Sequence, residues 1–243
     1  MITMADLAAI ADAVQEAVEK VPSSERGRKV CMGADGSSSS AVDKVAENAA
    51  LMYIERNRLP LNVLSEEIGY VDNGGEEILV MDPIDGTSNA VAGLPYYTVS
   101  LAVGKSRLSD TRLGYLRNLA TGDEMYAEKG KGAFKNGKPI HVREARLDDL
   151  FMMIYEGNGA HPDAFAVAKQ VRSSRSLGCA SLEMEIVAEG EADGYYMKAE
   201  RYTRSVRVVD IAASTIILRE AGGEVYDLNN NVLDMPFDLE HRS

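Results

Sequence analysis

The sequence predicts a mixed α/β fold, α+β in arrangement, in which mostly antiparallel strands are layered with helices. Three observations predict it. Apolar residues recur at helical spacing, as at Leu7, Ile10, Ala11, Val14 and Val18. Short continuous apolar runs, as at 61–64 and 78–81, read as buried strands. Turn and stop signals, among them Asn136-Gly137 and Gly222-Gly223, punctuate the two patterns.

In chain order, residues 5–20 form an amphipathic helix. Residues 22–40 are polar and Gly/Ser-rich and read as a mobile loop or a plain connector. Val42, Val45, Ala46, Ala49, Met52 and Tyr53 define a second helix. Strands follow at 61–64, 78–81, 97–104, 112–118, 123–127 and 139–142, the last reached through a hairpin turn at Asn136-Gly137. Gly130-Lys131-Gly132 lacks the helix that a phosphate loop requires and reads as a hairpin. Near residue 148 the pattern changes. A strand at 151–155 precedes a helix opened by His161-Pro162-Asp163. Helices at 181–189 and 210–221 end at Gly190 and at Gly222-Gly223, with strands at 194–197 and 224–228.

The 243 residues suffice for one large domain or two small ones, and 45% hydrophobic residues supply a core. The net charge of −12 argues against nucleic acid or an anionic membrane as partner, and no stretch reaches the length of a spanning helix. Residues 1–20 lack a basic start and are interrupted by Asp6, Asp12 and Glu16, unlike a signal peptide. Cys31 and Cys179 are too few for a disulfide framework and fit a reduced, cytoplasmic setting. His141, His161 and His241 are scattered without zinc-site spacing.

The most informative stretch is Ile78-Leu79-Val80-Met81-Asp82-Pro83-Ile84-Asp85-Gly86-Thr87-Ser88-Asn89. A buried strand leads into two carboxylates three positions apart, then a Gly that permits a sharp bend and a Thr-Ser-Asn that can open a helix. Aspartates at a strand end beside unpaired backbone N–H groups suit a metal-plus-phosphate site; an acidic turn after a strand is the plainer reading. Asp43, Glu66, Glu67 and Asp210 likewise stand where apolar segments meet turns or helix starts. Buried carboxylates are costly unless paired, so acids that converge imply a cation.

Four blocks in this order resemble the inositol monophosphatase and fructose-1,6-bisphosphatase superfamily of metal-dependent sugar phosphatases. They are Gly33-Ala34-Asp35-Gly36 leading to Asp43, Ser65-Glu66-Glu67, Asp82 to Asn89, and Val209-Asp210-Ile211-Ala212-Ala213 with Glu220-Ala221-Gly222-Gly223. The first block and the short length look most like the archaeal type, often active on both inositol phosphates and fructose bisphosphate. The resemblance implies a layered α-β-α-β-α fold, with a metal-binding subdomain at 1–148, a substrate subdomain at 149–243 and the site between them. It implies two or three Mg²⁺ ions, replaceable by Mn²⁺: one on Glu66, Asp82 and the Ile84 carbonyl, a second on Asp82, Asp85 and Asp210, and a weaker third using Glu66 again. Thr87, paired with Asp43, would orient the attacking water, while the N–H groups of Gly86, Thr87 and Ser88 would hold the phosphate. Thr87 also reads as the N-cap of the following helix.

On the same resemblance, Gly178, Cys179 and Ala180 would meet the sugar, Cys179 standing where the family usually has Ser or Thr. Arg172, Arg175, Lys198, Arg201 and Arg204 form a basic group that could grip a distal phosphate or simply be solvated surface. The implied substrate is a small sugar or polyol phosphate, fructose 1,6-bisphosphate or inositol 1-phosphate, hydrolysed by a homodimer. Competing readings are a 3′-phosphoadenosine phosphate or NADP phosphatase of the same superfamily and a non-catalytic phosphosugar-binding protein. A dehalogenase-type phosphatase needs its acids two apart, not three.

Overall fold

The computed structural model describes residues 1–34, 38–199 and 205–241. Asp35, Gly36, Arg201 and Arg204, singled out above, lie outside the described residues.

Helix α1 (Met4–Glu19) starts at Thr3, whose N and Oγ1 donate to Asp6 Oδ2 at 2.8 and 2.7 Å. Its buried stripe is the predicted Leu7, Ile10, Ala11, Val14 and Val18. The stretch read as a loop at 22–40 instead contains a short helix, α2 (Ser23–Arg26), and a hairpin of β1 (Lys29–Met32) and β2 (Ser38–Ser40). Backbone pairing needs no apolar side chain, and β1 is exposed throughout, so its strand left no hydrophobic signal. Helix α3 (Ala41–Arg56) packs against α1.

Eight strands follow in one sheet of order β10-β9-β8-β7-β6-β5-β3-β4. They are β3 (Leu61–Ser65), β4 (Gly69–Val71), β5 (Glu77–Asp85), β6 (Thr98–Gly104), β7 (Leu113–Asn118), β8 (Glu124–Glu128), β9 (Ala133–Lys135) and β10 (Lys138–Ile140). All neighbours are antiparallel except β3 and β5, which run parallel with Ser65 beside Met81. The predicted turn between β9 and β10 forms, with Asn136 and Gly137 both at positive φ. The Gly130-Lys131-Gly132 turn holds an anion of its own: its Gly130 and Gly132 amides donate to the two Glu220 carboxylate oxygens at 2.8 and 2.9 Å.

The pleat sends alternate residues to two cores. On one face Leu79, Met81 and Leu101 meet Leu7, Ile10, Val14, Val42 and Ala46 of α1 and α3. On the other, Val80, Ala102 and Leu116 meet helices α6 (Ala180–Ala188) and α7 (Val208–Glu220) through Leu182, Val209, Ala213 and Ile217. Gly114 on β7 permits that contact, because a Cβ there would meet Ile216 Cγ2 at 2.4 Å.

A second, parallel sheet has the order β12-β11-β13: β11 (Phe151–Ile154), β12 (Ser173–Arg175) and β13 (Gly194–Tyr196). Helix α5 (Pro162–Ala168) joins β11 to β12, and α6 joins β12 to β13. These connections step across the sheet in opposite directions, so right-handed crossovers place α5 and α6 on opposite faces. The layers are therefore α1/α3, large sheet, α6/α7, small sheet, α5. The change of sheet falls near residue 148, yet α7 packs back on β5 to β8, so the second core joins both halves of the sequence. The strand expected at 224–228 is not there. Asp227 Oδ1 takes the Asn229 and Asn231 amides, and the chain turns back so that only an isolated Tyr226–Val232 bridge forms. Among the described residues no helix is long and apolar enough to cross a membrane.

One buried cluster gives the fold a pH dependence away from the cleft. Glu185 on α6 is 1% exposed and lies 2.9 Å from Lys135 Nζ, which also meets Glu189 at 2.5 Å. Burial, and then the Glu189 side chain, push the Glu185 carboxyl up to about 9. A folded-state value above the unfolded one gives stability that is present at low pH and lost as pH rises, here from about 4.5 to about 9. Glu185→Gln should therefore melt progressively higher relative to the wild type between pH 5 and 9. Melting curves across that range check it; a constant difference would mean that Glu185 stays ionised.

Candidate active site

The acids converge because of how β3 and β5 end. The strands are parallel and in register to Ser65 and Met81, so the next residues, Glu66 and Asp82, emerge side by side. Asp82 and Asp85 are an odd number apart and would face opposite sides of a regular strand. Between them β5 carries one extra residue relative to β6: Asp82 lies opposite Ser100 and Asp85 opposite Thr98. Pro83 cannot donate to the ladder at this point. The bulge returns Asp85 to the Asp82 face. Asp210, in the first turn of α7, completes the group: Glu66, Asp82 and Asp210 offer carboxylate oxygens within 4.8 Å of one another.

Burial, followed by the charges of Glu66, Asp85 and Asp210, pushes the Asp82 carboxyl well above the usual range. A guanidinium that the sequence reading passed over offsets part of this charge. Arg207 lies 2.9 Å from Glu66 Oε1 and 2.8 Å from Asp210 Oδ1, and its own N–H donates to Asp210 Oδ2 at 2.8 Å. Burial opposes its charge, but Asp210 and Glu66 hold it protonated more firmly than a free arginine. Its only sequence signal was its place three residues before Asp210, the spacing of a helix-start pair.

Asp85 is held differently. Its Oδ2 accepts from Ser181 N at 2.7 Å, Ser181 Oγ at 2.6 Å and Cys179 Sγ at 3.3 Å. Burial pushes its carboxyl up, and the Ser181 bonds pull it back part of the way. Burial and the Asp85 charge keep Cys179 a neutral thiol, so it acts as a weak donor and a small wall residue rather than a nucleophile. Glu67 turns away from the acids to accept from Ser39 Oγ.

Gly86 bends the chain out of β5 at φ 88°, where a Cβ would meet the Tyr96 carbonyl at 2.7 Å. It is Gly86, not Thr87, that caps helix α4 (Thr87–Ala92), which frees the Thr87 side chain. Thr87 Oγ1 lies 2.8 Å from Asp43 Oδ1 and 3.1 Å from the Ile84 carbonyl. Asp43 is fixed in turn by Ser40, whose N and Oγ donate to its Oδ2. Ser88 is exposed at the helix start.

Glu66, Asp85, Asp210 and Arg207 line a cleft of about 310 Å³ together with Gly178, Cys179, Ala180 and Tyr195. Glu183, also in its wall and unforeseen, accepts from Leu177 N at 2.6 Å, and burial pushes it up to about 7. A larger, more apolar cavity of about 420 Å³ behind Tyr195 and Met197 holds none of the acidic cluster. The described members of the basic group, Arg172, Arg175 and Lys198, are not in the cleft lining. Arg172 pairs with Asp149 at 2.7 Å, Lys198 pairs with Asp163, and Arg175 is exposed over the Phe151 ring at 5.7 Å.

The sequence model of the inositol monophosphatase family matches residues 3–243. The chain belongs to the inositol monophosphatase family. It is 37% identical to the fructose-1,6-bisphosphatase/inositol-1-monophosphatase of Archaeoglobus fulgidus, over 96% of this chain and 88% of that one. The protein of that name from Methanothermobacter thermautotrophicus is 35% identical, over 96% and 87%. The bifunctional NADP phosphatase/NAD kinase of Methanococcus maripaludis is 32% identical, over 96% of this chain but 44% of its own length. Among solved structures, an inositol monophosphatase-fructose 1,6-bisphosphatase superposes with a TM-score of 0.86 at 30% identity, covering 100% of this chain and 92% of that one. As a member of this family the chain is a phosphatase of the layered sugar phosphatase fold.

Proposed function

We propose that the chain is a Mg²⁺-dependent phosphomonoesterase that hydrolyses small sugar and polyol phosphates, with fructose 1,6-bisphosphate and inositol 1-phosphate its first substrates. The observation that carries this reading is the convergence of Glu66, Asp82 and Asp210 within 4.8 Å, next to the Thr87–Asp43 pair. The donor set fits the cation: all three groups are hard carboxylate oxygens, which suit Mg²⁺ or Mn²⁺. Their crowding, felt in the raised Asp82, is relieved by a divalent charge. Glu66, Asp82 and the Ile84 carbonyl would hold one ion and Asp82, Asp85 and Asp210 another, with Glu66 shared by a weaker third. Bound there, the ions supply Lewis acidity toward the phosphoryl oxygens, the water and the leaving oxygen.

The chain's own residues do the rest. Thr87 donates its hydroxyl proton to Asp43, which leaves its oxygen lone pairs to accept from the attacking water and aim it in line at phosphorus. The first amides of α4, at Gly86, Thr87 and Ser88, lack helical partners and face an anion favourably. Ser181 holds Asp85 in position. Gly178, Cys179 and Ala180 offer the sugar a small-residue wall. Arg207 restrains Glu66 and Asp210 and competes with a cation for them. A reduced cytoplasmic homodimer completes the reading.

The kinship with an NADP phosphatase keeps a nucleotide 2′- or 3′-phosphatase as the second reading. One experiment separates them: phosphate release with Mg²⁺ from fructose 1,6-bisphosphate, inositol 1-phosphate, 3′-phosphoadenosine phosphate and NADP, each repeated in EDTA. Turnover of the first two that EDTA abolishes and Mg²⁺ or Mn²⁺ restores is the expected result. Preference for NADP would move the assignment to the second reading, and full activity in exhaustively chelated protein would sink the metal-dependent mechanism.

A further inference from the structure

Helix α3 sends two acids toward the cleft, and only the first has a role so far. Asp43 and Glu47 are four residues apart, one helical turn, and so share a face. Glu47 is fully buried at 0% exposure, which makes an unpartnered carboxylate there prohibitive. It is fully engaged. Oε1 accepts from Ser65 Oγ at 2.7 Å and from Ile68 N at 2.8 Å, and Oε2 pairs with Lys44 Nζ at 2.8 Å.

The two Oε1 contacts bracket a single residue of consequence. Ser65 is the last residue of β3, and Ile68 closes the turn that follows; Glu66 lies between them. The chain path through Glu66 is thus pinned on both sides to one carboxylate oxygen of α3. The same helix pins Thr87 through Asp43. Glu47 itself lies outside the converging acids and has both oxygens occupied, so it is not placed to bind a cation.

We propose that Glu47 is a positioning residue for the metal centre: by clamping Ser65 and Ile68 it fixes Glu66 against Asp82 and Asp210. This rests on the metal-dependent reading above. Without the clamp, Ser65 Oγ and the Ile68 amide lose a buried acceptor and the turn relaxes toward other partners. Glu66 then no longer meets the other two acids at a distance one cation can bridge. A glutamine keeps an oxygen for both clamp hydrogen bonds and loses the charge and the Oε2 acceptor that faces Lys44.

The test is calorimetric titration of the full chain with Mn²⁺ and Mg²⁺, with melting in EDTA as a control for folding. Groups that orient a ligand typically govern ten- to hundred-fold in affinity, so Glu47→Ala should weaken binding about ten-fold or more, Glu47→Gln less than about three-fold, and Ser65→Ala by an intermediate amount. Unchanged affinity in Glu47→Ala overturns the proposal, as does a Glu47→Gln loss equal to that of alanine, which would mean that charge alone acts. Should Glu47→Ala fail to fold, Ser65→Ala decides, since it removes one clamp contact and leaves the Lys44 pair; wild-type affinity there overturns the proposal. Wild-type protein that binds neither ion defeats the metal-dependent reading instead, a separate outcome.

Discussion

Asp82→Asn should nearly abolish turnover and yet raise the melting temperature of the metal-free protein. Asp82 is 3% exposed and belongs to the group of three converging acids. Losing its charge removes a donor shared by both proposed ions, where charge develops on the reacting phosphate. Groups of that kind support a loss of roughly 10³-fold in kcat/KM, about 4 kcal/mol. Without metal the same carboxylate is a liability. Burial, then Glu66, Asp85 and Asp210, raise its protonation range, so its contribution to stability is lost as pH rises. Asparagine avoids that loss and keeps an oxygen for the Ile84 amide, now bonded at 3.0 Å. In EDTA the variant should therefore gain on the wild type with increasing pH. In saturating Mg²⁺ the order should reverse, because only the wild type gains fully from binding. Melting curves in the two buffers and a phosphate-release assay check both halves. Near-normal turnover with saturating Mg²⁺ would reject Asp82 as a ligand, and a lower melting point in EDTA would show that its neighbours stabilise the charge.

How far the sequence reached follows from which contacts are local. The amphipathic stripe of α1, the presence of helix α3 and the Asn136-Gly137 turn are written in neighbouring residues and are where the spacing put them, but the buried face of α3 runs through Val42, Ala46, Ala50 and Ile54 and leaves the expected Met52 exposed. Thr87 was placed beside Asp43 only by resemblance; the geometry adds why its hydroxyl is free to go there, since a left-handed Gly86 takes over the cap. What stayed hidden depends on pairings across the chain. The bulge that turns Asp85 to the Asp82 side exists only relative to β6. The exposed strand β1 pairs with β2 through the backbone and left no apolar pattern. Arg207 escaped because a charge near a helix start looks like solvated surface until Glu66 arrives from β3. Arg172, Arg175 and Lys198, read as either a phosphate grip or solvated surface, have an acid or a ring close at hand. The Asp227 side chain ended the expected strand at 224–228 by accepting from the Asn229 and Asn231 amides.

Thr87→Ala should lower kcat by roughly 10²- to 10⁴-fold, the range of a positioned proton-transfer group, while metal affinity stays near wild type. The geometry separates these effects. Thr87 Oγ1 is 2.8 Å from Asp43 Oδ1, and neither residue is among the three converging acids. A hydroxyl has one proton, and Asp43, a carboxylate whose other oxygen is tied to Ser40, is a stronger acceptor than the Ile84 carbonyl at 3.1 Å. With its proton committed to Asp43, Thr87 can only accept, so the water opposite must donate and turn its lone pair toward phosphorus. That interaction strengthens as the water passes its proton to Thr87 Oγ1 and Thr87 passes its own to Asp43, which places the effect in kcat rather than in KM. Thr87→Ser keeps the hydroxyl and should recover most of the rate, and Asp43→Asn should lower it again, because an amide can donate where the relay needs an acceptor. Kinetics in saturating Mg²⁺ with parallel Mn²⁺ calorimetry distinguish the outcomes. A rate loss in Thr87→Ala matched by lost metal binding would make Thr87 a support of the metal site, and a serine variant as slow as alanine would show that the methyl, not the hydroxyl, is what the site needs.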